Sequence, residues 1–214
     1  GCGGPYDPLR KKFWKEKSLN IAVNFVLMDG NFEDRVDLYF GSTAPGGYAW
    51  MIPKKGGANI GIGIQTRFSK GKSLNSMAEA FFSNFEGKVT YKGGGILPMS
   101  GTIRNFTKGQ YMLVGDSAGM VLPSNGAGIT TAMIGGRIAG QVIAENIRQN
   151  TSLNEYQKRW NLQMGKLMKY SKRGMRWGGL MFRSPDILVN AAFNPLTKPL
   201  IWRAITCKPM FGIY

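Results

Sequence analysis

The segment at residues 111–150, YMLVGDSAGMVLPSNGAGITTAMIGGRIAGQVIAENIRQN, constrains the fold of this chain more than any other. Its opening apolar run, residues 111–114, has the length and composition of a buried strand. Gly115 and Asp116 end that run, and small residues, Pro123 and the glycine-spaced turn Asn125-Gly126-Ala127-Gly128 follow. From Ile129 the apolar residues Ile129, Met133, Ile134, Ile138, Val142, Ile143 and Ile147 recur at spacings near three and four, which predicts a helix. A strand, a carboxylate, a glycine turn and a long helix start together make a candidate anion and cofactor site. The N-terminus of a helix carries partial positive charge and free N–H groups that can face an electron-rich ring or an oxyanion. Glycines without Cβ atoms let a flat ligand approach the backbone. Asp116 is placed to accept hydrogen bonds from sugar or polyol hydroxyls. The same residues also fit a plain strand–turn–helix connection in which the Asp caps a turn and the glycines serve packing.

Composition narrows the chemistry around this segment. With 214 residues, 43% hydrophobic and 19% charged, the chain can bury a core in one large or two small domains. It has no histidine, which removes His-based triads and most zinc sites, so no metal site is expected. Proton transfer would have to use Tyr, Cys, Lys, a carboxylate, water or a cofactor. The cysteines, Cys2 and Cys207, form no disulfide framework, and a reducing, cytoplasmic setting is the expectation. A net charge of +16 implies attraction to phosphate-bearing partners, either nucleic acid or an anionic membrane surface. From residue 151 onward there are eleven Lys/Arg against Glu155 and Asp186, interleaved with Trp160, Trp177, Phe182 and Trp202. That mixture fits a peripheral membrane face as well as a solvated surface over a core. The aromatics fall at core-like periodicities and no nucleic-acid-binding motif is present, so specific nucleic-acid binding is not expected. The longest uncharged run, residues 117–136, is too interrupted by Gly and Pro to span a membrane. The first residue is Gly and the chain opens inside a motif-like stretch, so a fragment of a longer protein is expected.

Residues 19–28 alternate apolar and polar positions as a half-buried strand does, and Asp29-Gly30 is a turn signal. Residues 36–40, 48–53 and 58–65 read as further strands, and four in succession with short links predict an antiparallel meander. Ser73 is a good N-cap for a helix over 73–85, whose face is Leu74, Met77, Ala78, Phe81, Phe82 and Phe85. Residues 89–96 lead through Gly93-Gly94-Gly95 back toward the first segment. Ser152-Leu153-Asn154-Glu155 reads as a capping box for a helix carrying Tyr156, Trp160, Met164 and Leu167. Gly178-Gly179 and prolines at 185, 195, 199 and 209 are expected to divide the remainder into short helices.

Three stretches resemble one family. GDSAGMVLPSNGAGITTAMIGGRIAG is similar to the second flavin motif of the FAD-dependent hydroxylase and reductase superfamily. By that resemblance Gly115 and Asp116 bind the FAD polyol chain, and Pro123, Gly126, Ala127, Gly128 and Ile129 lie against the isoalloxazine. YAWMIPKKGGANIGIG has the form YxWxxP followed by GxG and resembles the geranylgeranyl reductase signature, with Ile52 in place of the usual Phe. The resemblance implies that Tyr48, Trp50, Pro53, Gly61 and Gly63 line an apolar slot for an isoprenoid lipid. Gly4, Leu9 and Arg10 match a third flavin-superfamily motif, while Gly3 stands where that motif has Asp.

The implied fold is α+β. An antiparallel-sheet substrate domain (18–98) follows the end of an FAD-domain segment (1–17) and precedes a glutathione-reductase-like FAD-binding segment (99–150). A helical C-terminal region (151–214) completes it. No Gly-x-Gly-x-x-Gly opens a helix after a strand, since the nearest candidate, Gly57 to Gly63, lies inside the meander. The ADP half of FAD therefore needs the missing N-terminal half of the flavin domain as a partner. The function implied is FAD-dependent reduction of geranylgeranyl double bonds in a lipid or prenyl diphosphate, with peripheral membrane association. The alternatives are a flavin-dependent hydroxylase or halogenase, or a non-enzymatic lipid-binding fragment.

Overall fold

The computed structural model describes residue 4 and residues 7–16, 19–181 and 186–208. Cys2, Gly3, Phe182, Pro185 and Pro209, which figured in the sequence reading, lie outside the described residues. The chain order begins α1 (Pro8–Phe13), β1 (Asn20–Asp29), β2 (Asp37–Tyr39), β3 (Tyr48–Lys54), β4 (Gly57–Ile64), α2 (Leu74–Phe82) and β5 (Lys88–Pro98). It continues β6 (Thr107–Lys108), β7 (Tyr111–Met112), α3 (Ile129–Gln149), α4 (Glu155–Met181), α5 (Asp186–Ala192) and α6 (Lys198–Ile205). The chain is thus mixed α and β, with an antiparallel sheet and a helical C-terminal region. Among the described residues no helix is long and apolar enough to cross a membrane. The chain divides into two compact units, residues 21–96 with 179–194, and residues 1–20 with 97–178 and 195–214.

The sheet unit is built on a period of two. β1 pairs antiparallel with β4, β4 with β3, and β3 with β2. The strand order is β2-β3-β4-β1-β5, so the sheet is not the simple meander that the short links predict. β1 closes onto β4 because that pairing sets Val26 against Ile60 and Met28 against Ala58, aligning two buried rows on one face. Residues 88–98, expected as a connection, form the fifth strand, and most of its residues are exposed. The buried face carries Val26, Met28, Ala49, Met51, Ile60, Ile62 and Ile64, and it is covered by Ala78 and Phe81 of α2. The Ser73 hydroxyl caps that helix by accepting from the Ser76 N–H at 3.1 Å.

The second unit has its own core, in which Phe106 meets Tyr156 and Trp160 edge-on at 5.1 and 5.8 Å. The Tyr156 hydroxyl, fully buried, donates to the Leu113 carbonyl at 3.0 Å. Where the chain first leaves this unit and returns to it, the Met99 N–H donates to the Leu19 carbonyl at 2.7 Å.

Four local expectations change here. Only Tyr111 and Met112 of the predicted buried strand are in strand, and Tyr111 is exposed, because they turn straight back on β6. The apolar stripe of α3 is split: Ile138 and Val142 are buried, while Ile129, Met133, Ile143 and Ile147 are exposed. The buried side of α3 uses small residues instead, since a Cβ on Gly135 would come within 2.6 Å of the Met120 sulfur. α4 runs through Gly178-Gly179 without a break, as a glycine costs only about 1 kcal/mol against Ala in a helix interior. The capping box does not close: the Ser152 hydroxyl accepts from the Asn154 N–H, and Glu155 pairs with Lys158 at 2.6 Å.

Candidate functional site

The turn before α3 is assembled by local hydrogen bonds. Gly115 at φ +66° opens a 3-10 turn through Ala118, and its carbonyl accepts from the Met120 N–H at 3.0 Å. The Leu122 N–H donates to the Ala127 carbonyl at 2.8 Å, closing the loop that contains Pro123 and Gly126. Asn125 fixes this loop at both ends of its side chain. Its Oδ1 accepts from the Ala127 N–H at 2.9 Å, and its Nδ2 donates to the Ile205 carbonyl at 3.0 Å. Ser124 is held by Ser171 of α4 at 3.0 Å. The Thr131 hydroxyl donates to the Met120 carbonyl and lies 2.9 Å from the Gly128 carbonyl, tying the helix start to the preceding turn.

Asp116 faces that helix start: its Oδ1 is 3.6 Å from where a Cβ on Gly128 would stand. The carboxylate accepts no hydrogen bond from any described residue, and partial burial raises its pKa from the ordinary carboxylate value. α3 has no side-chain cap, and Ile129 at its first position is 81% exposed. An unpaired, half-buried carboxylate beside an open helix start can receive ligand hydroxyls while the free N–H groups face an electron-rich group. Pro123 is buried beneath this loop and Ala127 is exposed on it. The structure therefore gathers Gly115, Asp116, Gly126, Ala127, Gly128 and Ile129 around the start of α3 in one unit, with Pro123 buried beneath the loop.

Arg10 joins them. It is 2% exposed, and its guanidinium donates to the Asp116 carbonyl at 3.4 Å. Burial lowers its pKa, partly offset by Glu16. Asp7 caps α1 by accepting from the Arg10 N–H at 3.0 Å, which holds Arg10 in place. Sequence reasoning matched Arg10 to a motif but assigned it no place beside Asp116, since 106 residues separate them. Asn125 and Thr131 were missed as well; the Asn-Gly pair at a turn was the available signal for the first.

In the sheet unit the register sets Trp50 opposite Gly61 and Gly61 opposite Phe25. Tyr48 lies opposite Gly63 on the same face, with its ring 5.7 Å from that of Trp50. The Trp50 indole covers Gly61, where a Cβ would come within 2.1 Å of the ring. Its N–H donates to Asn59 Oδ1 at 2.7 Å, so Asn59, two residues before Gly61 on the same face, orients the ring. Sequence reasoning missed Asn59, although the period of two placed it on that face. Phe40 stacks on Phe193 at 5.4 Å and lies 6.1 Å from Tyr48. Burial raises the pKa of Tyr48, which keeps its phenol neutral. Tyr48, Trp50, Gly61 and Gly63 share one aromatic face, whereas Pro53 has the opposite parity on β3 and lies in register with Ala58 of the buried face.

Comparison with known proteins follows the same outline. A flavin-dependent halogenase, CmlS, superposes with a TM-score of 0.60 at 17% identity, covering 95% of this chain and 43% of that one. A geranylgeranyl bacteriochlorophyll reductase-like protein of Thermoplasma acidophilum superposes with a TM-score of 0.68 at 26% identity, covering 88% of this chain and 48% of that one. The fold is thus one that flavin-dependent enzymes use. Residues 18–96 match the geranylgeranyl reductase catalytic domain. The digeranylgeranylglycerophospholipid reductase of Methanocaldococcus jannaschii is 32% identical over 91% of this chain and 54% of its own length. The chain belongs to the geranylgeranyl reductase family. It spans about half the length of the curated relatives it matches.

Proposed function

We propose that this chain forms the substrate-facing and isoalloxazine-facing part of an FAD-dependent reductase of isoprenoid double bonds. The observation that carries the reading is the Asp116 carboxylate, unpaired and half-buried beside the open start of α3. The residues fit the cofactor: Asp116 would take its polyol hydroxyls, and the Gly126–Ile129 turn would receive the ring edge against backbone N–H groups. When bound and reduced, FAD supplies the hydride. Arg10 braces the Asp116 backbone through its main-chain carbonyl. The Tyr48 and Trp50 rings, held by Gly61 and Asn59, offer an apolar wall that buries much prenyl surface at small entropic cost.

The exposed stripe of Ile129, Met133, Ile143 and Ile147 on α3 supports a further part of the reading. It would be covered by the portion of polypeptide that the relatives have beyond their match to this chain, the half that cradles the ADP moiety. The excess of cations over acids favours an anionic lipid surface, where a prenyl lipid would reside.

The test is flavin binding followed by turnover. The chain alone should bind FAD weakly, and a co-expressed N-terminal half should give the oxidised-flavin absorption bands. That complex, reduced under anaerobic conditions, should add two hydrogens per double bond to a geranylgeranyl lipid, read by mass spectrometry. Tight FAD binding by the chain alone would refute the shared-cofactor reading. Oxygen-dependent hydroxylation or halogenation without saturation would refute the reductase.

A further inference from the structure

A second candidate ligand site lies in the unit that carries α3 and α4, on residues separate from those above. A cavity of about 390 Å³ is lined by Lys169, Lys172, Arg173 and Arg176 of α4, with Trp160 and Met168. The four cations stand at i, i+3, i+4 and i+7, which brings them onto one side of one helix. Three other cations of the described residues do have acidic partners: Arg35 with Glu33 and Asp37, Lys158 with Glu155, Arg159 with Glu145. None of the four cavity cations has a carboxylate within ion-pair distance among the described residues. Lys172 is also anchored, since its ammonium donates to the Thr102 carbonyl at 3.3 Å and its stem lies against the Gly101 backbone.

Like charges held this close on a folded helix cost stability unless something pairs with them. An intrahelical acid would be the ordinary remedy, and near the start of α4 Glu155 serves Lys158 in that way. Here no carboxylate among the described residues takes that role. The recess is large enough for a phosphate group, and two of the four cations are arginines, whose planar fork matches phosphate oxygens in pairs. Trp160 and Met168, both buried in the core, back the recess.

We propose that the α4 cavity is a phosphate-binding site, which takes a phosphomonoester, diphosphate or lipid phosphate head group. Burial and the nearby Arg176 lower the Lys172 pKa, with Glu16 acting the other way, and a bound anion would raise it. The site stands on residues that neither the flavin reading nor the prenyl reading uses, so it can fail while they survive.

The experiment titrates inorganic phosphate into the intact protein by calorimetry at constant ionic strength. It then repeats the titration with Lys169→Glu/Arg173→Glu and with the control pair Lys54→Glu/Lys55→Glu. All four positions are exposed, so the fold should persist, and circular dichroism checks this. Saturable phosphate binding that weakens roughly tenfold or more in the α4 pair, and stays unchanged in the control, is the expected result. Flotation with phosphatidylcholine vesicles, with and without phosphatidylglycerol, identifies the source. If anionic vesicles bind and free phosphate competes them off, the ligand is a lipid head group. If phosphate binds and vesicles do not, it is a soluble phosphate compound. Equal losses in both charge-reversed pairs would mean diffuse attraction and would overturn the site, as would no phosphate binding at all.

Discussion

In the sheet unit the motif glycines make room for a neighbour, whereas in the other unit they bend the backbone. Gly61 sits in regular β-strand, and its missing Cβ is replaced by the Trp50 indole, which covers it at a distance no side chain could tolerate. Gly126, by contrast, holds φ +76° in a loop, and Gly115 holds +66°. The same residue type therefore answers to packing in one place and to conformation in the other. The two kinds should respond differently to the same substitution: a Cβ on Gly61 strikes a ring that can be trimmed, but a Cβ on Gly126 strains the chain itself.

The largest effect should come from Gly61→Ala. Overpacking of this kind costs about 1–3 kcal/mol. Denaturant titration of the single variant should show that loss, and Trp50→Phe in the Gly61→Ala background should recover part of it. If the double variant is no more stable than the single one, Gly61 is not glycine for the sake of the ring.

Asp116→Asn should separate ligand binding from folding. Losing a charge-assisted acceptor should weaken FAD binding in the complemented protein by about 1.5–3 kcal/mol, roughly ten- to a hundredfold. Stability should move the other way. Burial raises the Asp116 pKa in the folded state. Its contribution is therefore fully present below the unfolded-state pKa and is lost as pH rises through the raised folded value. The Asn variant should be at least as stable as the parent at neutral pH. Wild-type FAD affinity should fall as pH drops through that titration, while the variant's affinity stays flat. A parallel fall in both would exclude Asp116 as the titrating acceptor.

The contrast between the units also explains what could be read from the sequence. The alternation of residues 19–28 marked a strand but set Leu19, Ile21, Val23, Phe25 and Leu27 on its apolar side, whereas Val26 and Met28, of the opposite parity, turn to the buried face because α2 covers that side. It could not give the order of strands, since β1 pairs with β4 across a long excursion whose register depends on residues far apart. The apolar stripe of α3 was visible as a period, but periodicity cannot say which of its sides this chain covers, and Gly135 against Met120 decided that. Arg10 beside Asp116 and Asn59 beside Trp50 are orientations of side chains. One depends on tertiary contact across 106 positions, and the other on a strand register that turned an ordinary Asn into a ring's anchor.

Gly126→Ala should cost less than Gly61→Ala, about 1–2 kcal/mol for a left-handed residue carrying a Cβ. No neighbouring ring can be trimmed to relieve it. Gly126→Asn, a residue that tolerates the left-handed region, should recover part of the loss. If Asn is no better than Ala there, the backbone angle is not what demands glycine.

Asn59→Ala should give the smallest change and bears most directly on the aromatic wall. The Trp50 N–H loses its acceptor, at about 1 kcal/mol, which the indole can lessen by turning toward water because it is only half-buried. Turning would uncover Gly61, so the cost reappears as disorder of the ring. The Trp50 indole N–H resonance should therefore shift and broaden in Asn59→Ala, and stay sharp in Asn59→Asp, which keeps an acceptor oxygen. In that state Gly61→Ala should become cheaper than in the wild type, since the ring it would strike has already moved. An undiminished Gly61→Ala cost in the Asn59→Ala background would mean that packing alone holds the indole over Gly61.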